Sequence, residues 1–234
     1  MILNVDAAFG PKDQSSKFAS LYTDKAVNAL LEAAQAGDLD AMQMAINNGA
    51  DINSPAPDTD ANPLMLYLAY VRPVRVDVVE KFLQLGADPA RPAANGATTL
   101  DALAKADDPQ IVPLFLAAGV SPDSQLTAGG RTWLTTTITN KNNVQLAQLL
   151  EAGANPNLAS TATGLHPFHQ AVMGTNWEAA ALLLDHGADP RRGDPELKQT
   201  LWAIEKDLPN FVDDKKTQTA IKHVRQWIDS QPTD

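Results

Sequence analysis

Apolar residues along the chain gather into short helical stripes, and each stripe stops at a glycine. Adjacent apolar pairs stand four and three positions before five glycines: Ala45/Ile46, Phe82/Leu83, Phe115/Leu116, Leu149/Leu150 and Leu183/Leu184. Val78, Ile111, Leu146 and Ala180 lie one turn earlier, which completes one apolar face of an amphipathic helix. The closing glycine stands where a helix C-cap needs a left-handed conformation that a β-carbon disfavours. The five glycines, Gly49, Gly86, Gly119, Gly153 and Gly187, follow one another at 37, 33, 34 and 34 residues.

A second mark runs in phase with the first. The segments NALL (Asn28–Leu31), NPLM (Asn62–Met65), TTLD (Thr98–Asp101), TWLT (Thr132–Thr135) and HPFH (His166–His169) begin 21, 24, 21, 21 and 21 residues before their glycines. The one departure is a three-residue insertion within Tyr70–Asp77. Each mark opens on an Asn, Thr or His at an N-cap-like position, and Pro63 and Pro167 fall in the first helical turn, where a missing N–H costs nothing. Each unit therefore reads as two short antiparallel helices. Gly96, Gly130 and Gly164, two residues before the second mark, predict tight hairpin fingers. Asp60 and Lys198 replace that glycine and predict irregular first and last fingers, and Pro113 predicts a kink in the second helix of the third unit.

These two marks resemble the ankyrin repeat, with its Thr-Pro-Leu-His start, paired leucines and closing Gly-Ala-Asp, over Asn28–Ala203. The resemblance implies an all-α fold, an ankyrin-repeat solenoid of stacked helix-turn-helix units with short hairpin fingers. Residues 1–23 read as a leader with a capping helix over Ser16–Tyr22, and 24–206 as five full units plus the start of a sixth. Residues 207–234 read as a loop and a C-terminal capping helix over Lys215–Ser230, with Ala220, Val224, Trp227 and Ile228 on its apolar face. Covering the end units is what an open stack requires.

Charge narrows the partner. The 234 residues carry 18 bases against 28 acids, a formal charge of −10, which argues against nucleic acid and for a basic protein. Residues 1–60 hold nine acids and three bases, so the negative field is strongest there. No apolar run is long enough to span a bilayer, so no membrane insertion is expected. The absence of cysteine removes disulfides and thiolate sites but assigns no compartment. The first residues lack the basic and apolar regions of a secretory signal. The expected location is the periplasm if such a signal has been removed, and otherwise the cytoplasm.

Candidate chemistry is sparse. His166 and His169 have HxxH spacing, but both fall in the repeat's start register and no third ligand stands nearby, which assigns them to structure. The acid pairs Asp107–Asp108 and Asp213–Asp214 do not point at a common substrate, and Asp108 before Pro109 suits a helix start. No catalytic triad, phosphate loop or HExxH motif is present. The chain is read as a non-enzyme without catalytic residues, metal or cofactor.

In ankyrin arrays partners dock on the fingers and on the first helix of each pair. Carried over to this sequence, that implies finger residues Asp58, Thr59, Asn95, Arg131 and Thr163, and helix residues Tyr70, Lys105, Asn140 and Met173. Tyr70 and Arg131 are the preferred anchors, since Tyr and Arg dominate interface hot spots. Arg72 and Arg75 in the insertion, and Trp133 in place of the usual proline, complete the set. For these the plain alternative stays open: solvated guanidiniums, and an indole packed on the next repeat.

The leader KFASLYTDKAVNALLEAAQAGDLDA, the divergent units and a C-terminal helix with Trp227 also resemble a narrower group, the ankyrin-repeat immunity proteins encoded beside type VI secretion effectors. That resemblance implies a bacterial toxin inhibitor, monomeric when free, which binds a toxin such as a phospholipase effector through a basic or lipase-like surface. A scaffold or adaptor for an endogenous enzyme, or an effector directed at a host, are the other readings.

Overall fold

Helix starts are set by side chains able to accept otherwise orphaned N–H groups. Asp24 accepts from Ala26, Asp38 from Ala41, Asn62 from Met65 and Asn176 from Ala179, at 2.8–3.3 Å. Thr132 and Thr135 form a reciprocal capping box. Helix ends are equally local: Gly49, Gly86, Gly119, Gly153 and Gly187 all have φ between 86° and 96°. A computed structural model describes residues 21–103, 108–125, 130–161, 163–207, 210 and 214–230. Among the described residues no helix is long and apolar enough to cross a membrane.

The backbone forms two compact units, one up to Asp88 and one from Pro89. In the first, α1 (Lys25–Ala36) pairs with α2 (Leu39–Asn47) and lies beside α3 (Pro63–Tyr70), followed by α4 (Val76–Gln84). Leu30, Leu31, Met42, Leu64, Leu68 and Phe82 are fully buried, and the Tyr67 and Phe82 rings meet at 5.6 Å across α3 and α4. Tyr22 is buried ahead of α1: its hydroxyl donates to the Ala61 carbonyl and its backbone is held by the Asn28 amide. Of the capping helix expected over Ser16–Tyr22, only Leu21 and Tyr22 are described, and they lie in a bend; the rest falls outside the described residues.

In the second unit the first helices of successive pairs run side by side: α5 (Thr99–Leu103), α7 (Trp133–Thr139), α9 (Pro167–Met173) and α11 (Lys198–Asp207). The second helices, α6 (Ile111–Ala117), α8 (Asn143–Glu151) and α10 (Trp177–Asp185), form the other row, and α12 (Lys215–Asp229) packs on α10. On α12 the buried residues are Ala220, Ile221 and Val224; Trp227 and Ile228, expected in that face, are half-buried.

Side-chain amides tie each pair to the next. Asn53 donates to the Gly86 carbonyl and accepts from the Asp88 N–H, and Asn157 does the same with Gly187 and Asp189, all at 2.7–3.0 Å. Asp123 accepts from the Asn155 N–H at 2.8 Å but has no amide to donate. Between α8 and α10, Asn143 and Asn176 exchange reciprocal amide bonds, and Glu178 accepts from both Asn143 and Lys216.

Two expectations need correction. The first finger is regular: Asp60 takes φ 54°, the left-handed conformation held by Gly96, Gly130 and Gly164, and the hairpin closes through Ala56 N–H to Ala61 O at 3.0 Å. Asp tolerates that region better than most residues, so glycine is dispensable there. Pro113 causes no kink either, because α6 begins only at Ile111. That places Pro113 in the first turn, whose N–H groups have no intrahelical acceptor. Asp108 accepts from the Gln110 N–H just ahead of it.

Candidate protein-binding surface

In the first unit the finger Pro57–Asp60 presents Asp58 to solvent, with Thr59 half-buried and accepting from the Ala61 N–H. Tyr70 is half-buried at the end of α3. The insertion's two arginines serve the fold. Arg72 donates to the Leu68 and Val71 carbonyls at 2.8 and 2.7 Å, which satisfies the open end of α3. Arg75 makes a two-pronged pair with Asp77, at 3.1 and 2.6 Å. That pair holds the Asp77 carboxyl below its ordinary range and the guanidinium above its own. The guanidinium also lies against Gly37, where a β-carbon would overlap it. The Tyr67 hydroxyl accepts from the Arg75 N–H at 3.0 Å, and burial pushes that phenol up. Arg72 and Arg75 are thus engaged within the chain while both remain exposed at the surface.

In the second unit Asn95 is exposed in its finger and accepts from the Ala97 N–H. Arg131 is exposed beside the antiparallel bridge between Gln125 and Thr132, and Thr163 is exposed in the following finger. Lys105 lies outside the described residues. Gln170 of α9 donates to Thr135 O and Thr139 Oγ1 of α7, so the C-terminal ends of the two helices, carrying Met173 and Asn140, sit side by side. Met173 is 70% exposed. Trp133 is the clear correction: it is 0% exposed and packs edge-on to Phe115 at 6.4 Å, so it is a core residue and offers nothing to a partner.

Trp202, 62% exposed on α11, was not among the expected surface residues. It stands third in Thr200–Trp202, a start mark 34 residues after His166, and nothing in that mark signals exposure. The HxxH pair holds no shared ligand: His166 Nδ1 stands 3.1 Å from the Asn157 carbonyl, while His169 is buried beneath Gly193. Burial holds the His169 imidazole below its ordinary value, against the pull of Asp194. Among the described residues no group of three His, Cys, Asp or Glu is placed to hold a metal ion.

Side-by-side helix pairs closed by left-handed glycines and projecting hairpins are the geometry of one repeat family, and that family's sequence model matches three copies over residues 100–194. These are ankyrin repeats. The chain is also 45% identical over 49 residues to the 2-5A-dependent ribonuclease of Mus musculus, a stretch that covers 21% of this chain and 7% of that protein. The likeness therefore spans a small part of that relative. Ankyrin repeats present an extended rigid surface to a protein partner, and residues 100–194 form such a protein-interaction module.

Proposed function

We propose that this ankyrin chain is an immunity protein, a non-catalytic inhibitor that binds a cognate bacterial toxin such as a type VI secretion phospholipase effector. The single observation behind this reading is the acidic first unit. Its finger carries Asp58 and Asp60, both exposed, on a scaffold that holds net negative charge. A toxin that works on anionic membranes needs a basic docking surface, and an acidic, preorganised face is complementary to it. Occupying that surface blocks membrane access without any chemistry by the inhibitor. On this reading the chain acts in the periplasm if an export signal has been removed, and otherwise in the cytoplasm.

The test is a reconstitution with the product of the neighbouring gene. The chain alone hydrolyses no phospholipid; added in equimolar amount, it abolishes the partner's phospholipase activity on liposomes. Asp58→Lys with Asp60→Lys weakens the complex by about tenfold or more. Absence of a complex with that gene product sinks the reading.

A further inference from the structure

His169 is a buried imidazole left without a hydrogen bond. It is 4% exposed, and neither ring nitrogen has a hydrogen-bond partner. A neutral imidazole carries one N–H, so one donor is stranded whichever tautomer is present. The ring meets Phe168 edge-on at 5.6 Å, and Gly193 lies against it. A β-carbon on Gly193 would come within 2.8 Å of Nδ1 and 3.1 Å of Cε1. The φ of Gly193 is −132°, which any residue adopts, so it is the contact with the imidazole that requires a glycine there.

Gly193 begins a chain of contacts that ends on α11. Asp194, the next residue, is buried: its carbonyl accepts from the Leu197 N–H at 2.8 Å, and its carboxylate accepts from the N–H and hydroxyl of Thr200 at 2.9 and 3.2 Å. Between them Leu197, also buried, is held at φ 54°, a conformation unfavourable for a leucine. Residues 193–200 are thus one strained clip, with the cover over His169 at one end and the first turn of α11 at the other. The far end of α11 is fastened separately, by the Trp177 indole donating to Asp207 at 3.0 Å. Two titratable groups act on the ring: Asp194, whose charge favours the imidazolium, and His166 on α9 itself, which opposes it. The helices packed beside α9 add none. α7 has no charged residue, and Glu178 and Asp185 of α10 pair with Lys216 and His223. On α11, Lys198, Glu205 and Lys206 are exposed and Asp207 holds the Trp177 indole. Burial is the larger effect and keeps the ring neutral below its ordinary range.

We propose that His169 and the clip of residues 193–200 form a pH-sensitive latch, in which protonation of the imidazole lifts Gly193 and frees the start of α11 from the stack. An imidazolium needs two acceptors, and the closed site offers neither. Once the clip lifts, water reaches the ring. Asp194, the acid whose charge already acts on the imidazole, pairs with it and gives up Thr200. The strain at Leu197 is released in the same step, which lowers the cost of opening. Asp207 stays bonded to Trp177 and serves as the pivot. The sign follows from linkage: the opened state takes up its proton at the ordinary histidine value of about 6.5, and the closed state at a lower one. The open fraction therefore grows as pH falls below about 6.5 and is constant above it. The inference concerns the chain alone and stands whether or not its partner is a toxin.

The experiment is amide hydrogen exchange on the full chain between about pH 8 and 5, in urea below the unfolding transition, with each rate corrected for the intrinsic pH dependence of exchange. Residues 194–204 are expected to exchange through a small opening. Their rate should rise about tenfold for each pH unit below about 6.5, down to the folded value, and depend little on urea. The interiors of α7 and α8 should exchange with the full urea slope of global unfolding. His169→Leu should remove the pH dependence of residues 194–204, and a variant carrying His166→Asn, His186→Asn and His223→Asn should keep it. Gly193→Ala should wedge the latch open, raising exchange of the same residues by about tenfold or more at about pH 8, where the wild-type latch is closed. The proposal is overturned if the rise persists in His169→Leu, is lost in the three-histidine variant, or shows the urea slope of α7 and α8. It is overturned equally if Gly193→Ala exchanges like the wild-type chain at about pH 8, a test that leaves His169 in place.

Discussion

Thr175 follows the last turn of α9 with φ 53°, and Lys141 stands at φ 55° in the same place after α7. A β-branched residue pays most for that conformation, so Thr175→Gly is expected to stabilise the chain by about 0.5–1 kcal/mol, read as a higher urea midpoint. Gly37 is the opposite case. Its φ of 73° already disfavours a side chain, and the Arg75 guanidinium fills the space a β-carbon needs. Gly37→Ala should cost about 1–2 kcal/mol and exceed the cost of Gly49→Ala, whose surroundings are open. In an Arg75→Ala background the difference between the two should disappear, which a double-mutant cycle measures. His169 titrates with stability. Its folded pKa is depressed by burial, so the unfolded chain binds the proton first, and stability is lost as pH falls from about 6.5 towards the folded value. Urea midpoints between about pH 7 and 5 should therefore drop, and the drop should be smaller in His169→Leu.

At the scale of elements, the repeat-to-repeat amide clamp makes a comparison the chain itself supplies. Asn157 makes both bonds to the following loop, and Asn157→Ala should cost about 1–3 kcal/mol by leaving its two backbone partners unpaired. Asp123 makes only the accepting bond. Asp123→Asn restores the missing donor opposite Gly153 and should raise stability by about 1 kcal/mol, measured by thermal unfolding. The helix boundaries explain why some elements were legible in the sequence and others were not. Gly49, Gly86, Gly119, Gly153 and Gly187 stop their helices through the backbone alone, so their meaning is readable residue by residue. The start of α6 is decided by Asp108 and by packing of Ile111, which moved Pro113 from a breaking position to a harmless one. The start of α11 is decided by a buried carboxylate at Asp194, six residues from the group it holds. Neither effect has a periodic signature.

Across the whole molecule, charge is the property with longest reach. Residues 1–88 hold 12 acids against 6 bases, and residues 89–234 hold 16 against 12. Association with a basic partner should therefore be steered, and stopped-flow association rates should fall by about tenfold or more between about 0.05 and 0.5 M salt. A salt-independent rate would remove the electrostatic argument for a basic partner. The candidate surface was only partly readable. Asp58, Asn95, Arg131, Asn140, Thr163 and Met173 are exposed as their register implied, because a finger tip or a helix end cannot turn inward without stranding backbone groups. Arg72 and Arg75 are exposed but bonded to α3 and to Asp77, and Trp133 is taken up by the core. The sequence by itself determined the repeat, its helix pairs, its caps and its net charge, since each depends on neighbours within one turn or on a simple count. Only the tertiary structure decided which large side chains meet water. Trp133 is buried and Trp202 exposed, because burial depends on which neighbours cover each helix face: α7 packs between α5 and α9, whereas α11 packs on α9 and α12.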